Sequence, residues 1–330
     1  MSAGPGTRSE TRASGVPDGY AMVMATGIAS IAAEDQHYPA LGLFLGVLAN
    51  AVFALVTVSA LELMWRHSGP TTCSPHQPSR VLRWFSLTAA CAVLAARWHS
   101  GPVPIVYALS GAAAATWAVV TVPTLIALCA RSITQLRQRA TGTWLLASVA
   151  CQSLAITAAD LARGAAKQPL LDLALACWLL GLVSYLALTT LITARAVTER
   201  RLPAAPDAWI IMGALAIATL AAATITAANP APEPNWATTL TQPAATVLWT
   251  LASAWIPLLL AAQARHLLHT LRNHPARWAA VFPLGMYSTA TSSLASQLHL
   301  TALRWIALAA FWVALTACSL ATAAGLSRPR

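Results

Sequence analysis

Hydroxyl and amide side chains concentrate in two otherwise apolar stretches, and they are the first candidates for chemistry in this sequence. In apolar surroundings such groups must find partners, so they face neighbouring protein or a water-filled cavity. The two stretches therefore predict either polar contacts between helices or a passage lined by uncharged donors. The residues are Thr143, Ser148, Gln152, Ser153 and Thr157 in the first stretch, and Ser288, Thr289, Thr291, Ser292, Ser293, Ser296 and Gln297 in the second.

One face of the second stretch combines a bulky aromatic side chain with smaller residues. At 100° per residue, Phe282, Met286, Thr289, Ser293 and Ser296 lie within about 40° of a common direction. We interpret this face as the lining of a passage that Phe282 plugs. Contact between helices remains the alternative explanation for each hydroxyl.

Motifs of soluble enzymes and metal centres are missing from the sequence. It has no P-loop, HExxH, GxSxG or dinucleotide fingerprint, and its six cysteines form no CxxC pair. Cys73 and His76 share a loop but supply only two ligands, and His266, His269 and His274 lie in a basic loop. We therefore predict no catalytic residue, no metal site and no cofactor.

The composition indicates the kind of element that must position these side chains. The chain has 330 residues, of which 57% are hydrophobic and 9% charged, with a mean hydropathy of +0.62. Soluble domains carry about 25% charged residues, far more than this chain has. We therefore predict that the protein is an all-α membrane protein.

A bilayer core needs about 20 apolar residues per helix. Ten stretches meet that need, at roughly 18–34, 40–64, 82–98, 103–130, 142–162, 170–194, 207–228, 243–264, 278–298 and 302–326.

The basic residues predict the orientation of these spans. With the N-terminus inside, sixteen of the twenty Lys and Arg residues lie on the cytoplasmic side. The net charge of +10 is then a topology signal and does not indicate a nucleic-acid partner. We predict a multi-pass protein of the plasma membrane with both termini in the cytoplasm. Its parts are a tail at 1–17, a membrane domain at 18–326 and a tail at 327–330.

The spacing of the basic loops predicts a repeated unit. Arg66, Arg131, Arg195 and Arg265 open the internal cytoplasmic loops at intervals of about 64 to 70 residues. Five successive helical hairpins explain this spacing, and they suit a closed, quasi-fivefold ring around a central pore with one helix of each pair inside. The polar residues of the odd spans then become pore-lining candidates. Besides the face that begins at Phe282, these candidates are Thr26, Gly27, Ser30, Ser148 and Gln152.

Several segments of the chain resemble one family of membrane proteins. The segment Trp278-Ala-Ala-Val-Phe-Pro-Leu-Gly-Met-Tyr287 is similar to the ninth-helix signature of the tellurite-resistance/dicarboxylate transporter family. That family includes a bacterial tellurite-resistance channel, fungal malate and sulfite transporters, and the slow anion channels of plant guard cells. Further similarity lies in Val23–Ile28, Gly142–Leu146 with Gln152–Leu154, Trp178–Gly181 with Tyr185, Trp209–Ala216 and Trp255–Leu258.

The resemblance implies a fold, an assembly and an activity. Family members form five hairpins in a ring, line the pore with odd helices and usually assemble as homotrimers. By motif, Phe282 is the gate and Pro283 bends the ninth helix beside it, which adds Pro283 to the pore candidates. The expected activity is passage of small anions, such as chloride, nitrate, sulfite or C4-dicarboxylates like malate.

Two other functions stay open at this point. A proton-coupled exporter of dicarboxylate, sulfite or tellurite-type oxyanions would need an ionisable group within the membrane. Asp160 is the best candidate, although Arg163 three residues later predicts an ordinary ion pair at a helix end. An intramembrane enzyme is a distant third possibility.

Overall fold

The structure is a computed structural model that describes residues 5–66, 78–99, 101–165, 168–199, 206–229, 236–263 and 278–326. Within these ranges the chain is almost entirely helical and contains no strand. The predicted tail at 327–330 lies outside the described residues. So do the loop residues considered above as possible metal ligands, which are Cys73, His76, His266, His269 and His274.

Ten long helices, numbered α1 to α10, follow one another in the described ranges. Short helices at Pro78–Leu82 and Ile133–Arg139 and single 3-10 turns at Gly142–Leu145 and Pro206–Ala208 lie between them. The long helices are α1 (Pro5–Asp35), α2 (Pro39–Arg66), α3 (Phe85–Arg97), α4 (Val103–Cys129), α5 (Leu146–Ala165), α6 (Gln168–Glu199), α7 (Trp209–Ala228), α8 (Trp236–Gln263), α9 (Trp278–Leu298) and α10 (Thr301–Leu326).

Seven helices of the described chain are long and apolar enough to cross a membrane by themselves. They are α2, α4, α5, α6, α7, α8 and α10. The other three differ for reasons that the sequence explains. Helix α3 has 13 residues, α9 carries many Ser and Thr side chains, and α1 begins in polar sequence. The prediction placed residues 1–17 in a tail, whereas α1 already begins at Pro5 and includes Pro17.

The helices pack in a regular order. Helix α1 contacts α3, α3 contacts α5, α5 contacts α7, α7 contacts α9, and α9 contacts α1 again. The contacts among odd-numbered helices therefore close into a cycle. Each even-numbered helix packs mainly against the odd-numbered helix that precedes it in the chain, which makes five pairs.

Burial separates the two sets of helices. Of the apolar windows in α5 and α7, 78% and 83% are buried, whereas the windows in the even-numbered helices are 17% to 33% buried. Leu55, Val119 and Leu186 are examples of large apolar side chains that the even-numbered helices expose. Such faces suit contact with lipid or with another apolar surface. The core of the molecule thus lies among the odd-numbered helices.

Candidate functional site

A small cavity lies where the N-terminal ends of α3, α5, α7 and α9 meet the middle of α1. Its volume is about 50 Å³, which is room for only a few water molecules. Arg83 borders it from the turn before α3, and Thr143 borders it from the turn before α5. All five odd-numbered helices supply the rest of its wall, through Pro17, Asp18, Ala21, Met24, Ser86, Leu146, Ile210, Trp278, Ala279 and Phe282.

Helix N-termini surround this cavity. Ser86, Leu146, Ile210 and Trp278 lie in the first turns of α3, α5, α7 and α9. The helix dipole places partial positive charge at such ends. The N–H groups of Ser86 and Leu146 already donate to carbonyls of the preceding turns. The four ends therefore contribute dipole charge to one cavity, an arrangement that favours an anion.

Two close contacts fix the rotation of α9. A β-carbon added to Gly213 of α7 would lie 2.8 Å from Cβ of Pro283, and one added to Gly285 would lie 2.8 Å from Cγ2 of Ile28 on α1. Pro283 therefore faces α7 and Gly285 faces α1. Phe282 lies between these two directions, about 100° from Pro283 and about 60° from Gly285 around the helix.

The same face of α9 continues from the cavity toward the far end of the bundle. Met286, Thr289 and Ser293 follow Phe282 at helical spacing. Phe282, Met286 and Thr289 are at most 3% exposed, Ser293 is half-buried and Ser296 is exposed. Burial along this face therefore decreases from Thr289 toward Ser296.

The opposite face of α9 holds the outer helices. The hydroxyl of Ser288 donates to the carbonyl of Ala307 on α10 at 2.8 Å. The hydroxyls of Tyr287 on α9 and Ser253 on α8 are 2.7 Å apart. These polar groups connect helices. Contact between helices was the alternative explanation for the hydroxyls of this stretch.

The two polar residues predicted from α5 as pore lining instead face α6. Ser148 donates to the carbonyl of Gly181 at 2.8 Å, and Nε2 of Gln152 donates to the carbonyl of Trp178 at 3.1 Å. Leu146 lies on the opposite side of α5, against the cavity. These bonds differ from the predicted pore-lining role, because amides and hydroxyls stabilise helix pairs as readily as they line passages.

Ser153 and Thr157 were not singled out as pore lining, although they share the face of Leu146 at helical spacing. Both are buried, and their hydroxyls donate to backbone carbonyls of α5 itself. Counting the helical period from Leu146 would have placed both residues on the cavity side of α5. The sequence alone does not show that Leu146 borders a cavity, so this signal could not be used.

The three candidates from α1 also make contacts with neighbouring helices or with their own helix. The hydroxyl of Ser30 donates to the carbonyl of Gly42 on α2, and a β-carbon added to Gly27 would lie 2.7 Å from Val93 on α3. The hydroxyl of Thr26 donates to the carbonyl of Met22 in its own helix, a bond that is compatible with either role. The contacts of Ser30 and Gly27 differ from the predicted pore-lining role, since α1 borders the cavity through Pro17, Asp18, Ala21 and Met24 instead.

Charged groups at the cavity end have defined partners. Asp18 Oδ1 lies 3.8 Å from Arg83 Nη1, and both side chains are partly exposed. The carboxylate of Asp207 accepts bonds from the backbone N–H and the hydroxyl of Thr143, at 3.0 and 2.9 Å. Asp207 thereby caps the turn that leads into α5.

The other end of the bundle holds three further polar contacts. Asp160 pairs with Arg163 at 3.5 Å, which confirms the ion pair expected at this helix end. Arg163 and Gln297 each donate to a backbone carbonyl of α7, those of Thr224 and Ala223. No group of three His, Cys, Asp or Glu side chains suited to a metal ion occurs among the described residues.

The chain matches one family of membrane proteins and is similar to two other membrane proteins. Residues 16–326 match the family model of the voltage-dependent anion channel. The chain is also similar to uncharacterized membrane proteins from two strains of Mycobacterium tuberculosis, each 36% identical over 136 residues. That alignment covers 40% of this chain and 69% of each relative. The family match includes every residue that borders the cavity.

Proposed function

Since the chain belongs to the voltage-dependent anion channel family, we propose that it is a membrane channel for small anions. The passage runs along the axis of the five odd-numbered helices, which form a ring of five hairpins with the even-numbered helices outside. The ring of Phe282 closes the passage at the inner end of its buried section. Anions move passively, down their electrochemical gradient.

The observation that carries this proposal is the wall of the cavity. All five odd-numbered helices border it, and two buried aromatic residues of α9 stand in its wall, Trp278 in the first turn and Phe282 one turn further in. Met24 and Ile28 on α1 and Met286 on α9 are each 1% exposed, and we assign them to the constriction together with Phe282. An apolar constriction of this kind excludes water and ions until a side chain moves aside.

The polar part of the passage lies beyond the constriction. Thr289 and Ser293 on α9 and Ser153 and Thr157 on α5 supply uncharged oxygen and hydroxyl groups there. Neutral groups bind an anion weakly enough for it to leave again, which conduction requires. Selectivity then follows from the dehydration cost of the anion and the width of the passage.

The arrangement in the membrane is part of the same proposal. We propose ten spans, including the three helices that are less apolar, with both termini in the cytoplasm and the cavity at the cytoplasmic end. The distribution of basic residues supports this orientation. The exposed apolar faces of the even-numbered helices suit lipid, and the family resemblance favours a homotrimer with one passage in each protomer.

Truncation of Phe282 tests the gate. We expect Phe282→Ala to raise chloride conductance at least severalfold in planar bilayers, because the constriction loses its largest side chain. The matched control is Phe311→Ala. Phe311 is equally buried, but it lies on α10, near Ala32 and Ala33 of α1 and stacked on Tyr38.

The two variants separate a gate from a general loosening of the bundle. The proposal expects increased current in Phe282→Ala and current like the wild type in Phe311→Ala. Equal currents in the wild type and Phe282→Ala would remove the gate assignment. An equal increase in both variants would attribute the current to disturbed packing.

A further inference from the structure

The cavity below Phe282 contains an ion pair that the proposed passage does not by itself require. Arg83 and Asp18 both line the cavity, and Nη1 of Arg83 lies 3.8 Å from Oδ1 of Asp18. This distance is within ion-pair range but longer than a hydrogen bond. The two charges therefore attract each other, while this contact leaves the N–H donors of the guanidinium available.

The other polar side chains of the cavity are committed elsewhere. The hydroxyl of Ser86 donates to the carbonyl of Pro17 at 3.2 Å, and that of Thr143 donates to Asp207 at 2.9 Å. Asp207 itself is occupied in capping the turn before α5. Arg83 is thus the charged donor that faces the cavity, and Asp18 is the carboxylate that faces it.

We propose that Arg83 binds a permeating anion at this cavity and that Asp18 is a tethered competitor for the same guanidinium. The inference rests on the proposed function, and it names the site at which anions enter from the cavity side. When the cavity holds no anion, the carboxylate of Asp18 neutralises Arg83. When an anion enters, it replaces Asp18 as the partner of the guanidinium.

The charge of the site restricts the anion that it takes. A cavity of about 50 Å³ has room for a few water molecules or for a small anion in place of some of them. The second carboxylate of a C4-dicarboxylate would meet Asp18, while Arg83 is the one cation among the described residues of the wall. The site is therefore assigned to a small monovalent anion such as chloride or nitrate.

Competition for one guanidinium gives a specific pattern among variants. Asp18→Asn removes the competitor, so the chloride concentration for half-maximal conductance from the cavity side falls at least about threefold. Arg83→Gln removes the binding group, so that concentration rises severalfold. The double variant resembles Arg83→Gln, because Asp18 acts through Arg83.

The measurement uses the full-length protein in planar bilayers, with chloride varied on one side at a time. The wild type, Asp18→Asn, Arg83→Gln and the double variant are compared, each also in the Phe282→Ala background to secure measurable current. Arg195 and Glu199 form the matched control pair. They are similarly exposed and 2.8 Å apart, but they lie on α6 outside the cavity.

Each outcome bears on one claim. If the half-saturating chloride concentration of Asp18→Asn changes no more than that of Glu199→Gln, the inference is overturned. It is also overturned if the double variant has the half-saturating chloride concentration of the wild type. Malate that conducts as well as chloride overturns the assignment to small monovalent anions. Anion current that is missing from every variant, including Phe282→Ala, overturns the proposed function and not only this site.

A second readout does not depend on current. The detergent-solubilised protein is melted in chloride and in gluconate, a bulkier anion, at the same ionic strength. Chloride should raise the melting temperature relative to gluconate, because it occupies the cavity. The shift is expected to be larger in Asp18→Asn than in the wild type and to vanish in Arg83→Gln. Equal shifts in the three proteins would contradict the site.

Discussion

At the scale of single residues, Arg97 is the most deeply buried cation that the structure describes. Its side chain is 7% exposed at the end of α3, and its Nη2 lies 2.7 Å from Oε1 of Glu34 on α1. Its Nε donates to the hydroxyl of Ser30 at 2.5 Å. Because Ser30 in turn donates to Gly42 on α2, the guanidinium connects three helices. The small residue Gly46 leaves room for it, since a β-carbon there would lie 2.9 Å from Nε.

The exposures of this pair predict an asymmetric response to mutation. Glu34→Ala leaves a buried guanidinium without its carboxylate, whereas Arg97→Met leaves a carboxylate that is 42% exposed and can be hydrated. Glu34→Ala should therefore destabilise the protein more, by about 1–3 kcal/mol. The check is the apparent melting temperature in detergent, which should be lowest for Glu34→Ala.

The exposed pair Arg195 and Glu199 supplies the control for this comparison. Its members are neighbours on one helix and accessible to solvent, so Glu199→Ala should change the melting temperature little. The reverse order, with Arg97→Met the less stable variant, would contradict the account of Arg97 as a charge that needs its partner.

The residues of the proposed passage were only partly predictable. The helical period groups Phe282, Met286 and Thr289 on one face of α9, but a period does not tell which way that face points. On α5 the same reasoning selected Ser148 and Gln152, which bond to α6. Hydroxyls and amides satisfy helix contacts and passages equally well, so three-dimensional contacts are needed to separate the two roles.

At the scale of elements, the approach of α5 to α7 depends on one glycine. A β-carbon added to Gly142 would overlap the backbone oxygen of Asp207, in the turn before α7. Backbone atoms do not yield as a side chain does. Gly142→Ala must therefore push the two turns apart and break the bonds from Thr143 to Asp207.

Gly142→Ala is expected to cost more than about 2 kcal/mol of stability, at the upper end of the range for overpacking. The matched control is Gly111→Ala on α4, where an added β-carbon meets no atom of the described chain within 4 Å. Since alanine favours a helix more than glycine does, by about 1 kcal/mol, this variant should be neutral or stabilised. Melting temperature and the folded fraction on size exclusion compare the two. Equal behaviour would contradict the tight contact.

The helices themselves were largely predictable because hydropathy and basic loops report directly on membrane spans. The breaks near Gly101, Arg163 and Asn229 fall close to the observed helix ends. The extension of α1 back to Pro5 was missed, since Pro17 and the polar residues before it predict a boundary. The short helix Ile133–Arg139 was also missed. Its signal was the Ser132 to Gln135 capping box, which a search for long apolar runs passes over.

At the scale of the whole molecule, the charges lie at the two ends of the bundle. The central parts of the odd-numbered helices, at 19–33, 85–96, 146–159, 209–228 and 278–298, contain no Asp, Glu, Lys, Arg or His. Ion pairs such as Asp18 with Arg83 and Asp160 with Arg163 occupy the ends. A passage with this distribution offers permeating anions attraction at its mouths and neither a trap nor a proton relay between them.

This distribution predicts that transport does not depend on protons. A coupled carrier needs a group inside the membrane that gains and loses a proton during its cycle. The two carboxylates that flank the charge-free segments of α1 and α5, Asp18 and Asp160, are each paired with an arginine at an end of the bundle. In liposomes with equal chloride on both sides, a pH gradient should therefore drive no chloride uptake, whereas a chloride gradient alone should drive flux. Asp160→Asn should leave that flux unchanged. Chloride accumulation that follows the pH gradient and disappears in Asp160→Asn would instead identify a proton-coupled carrier.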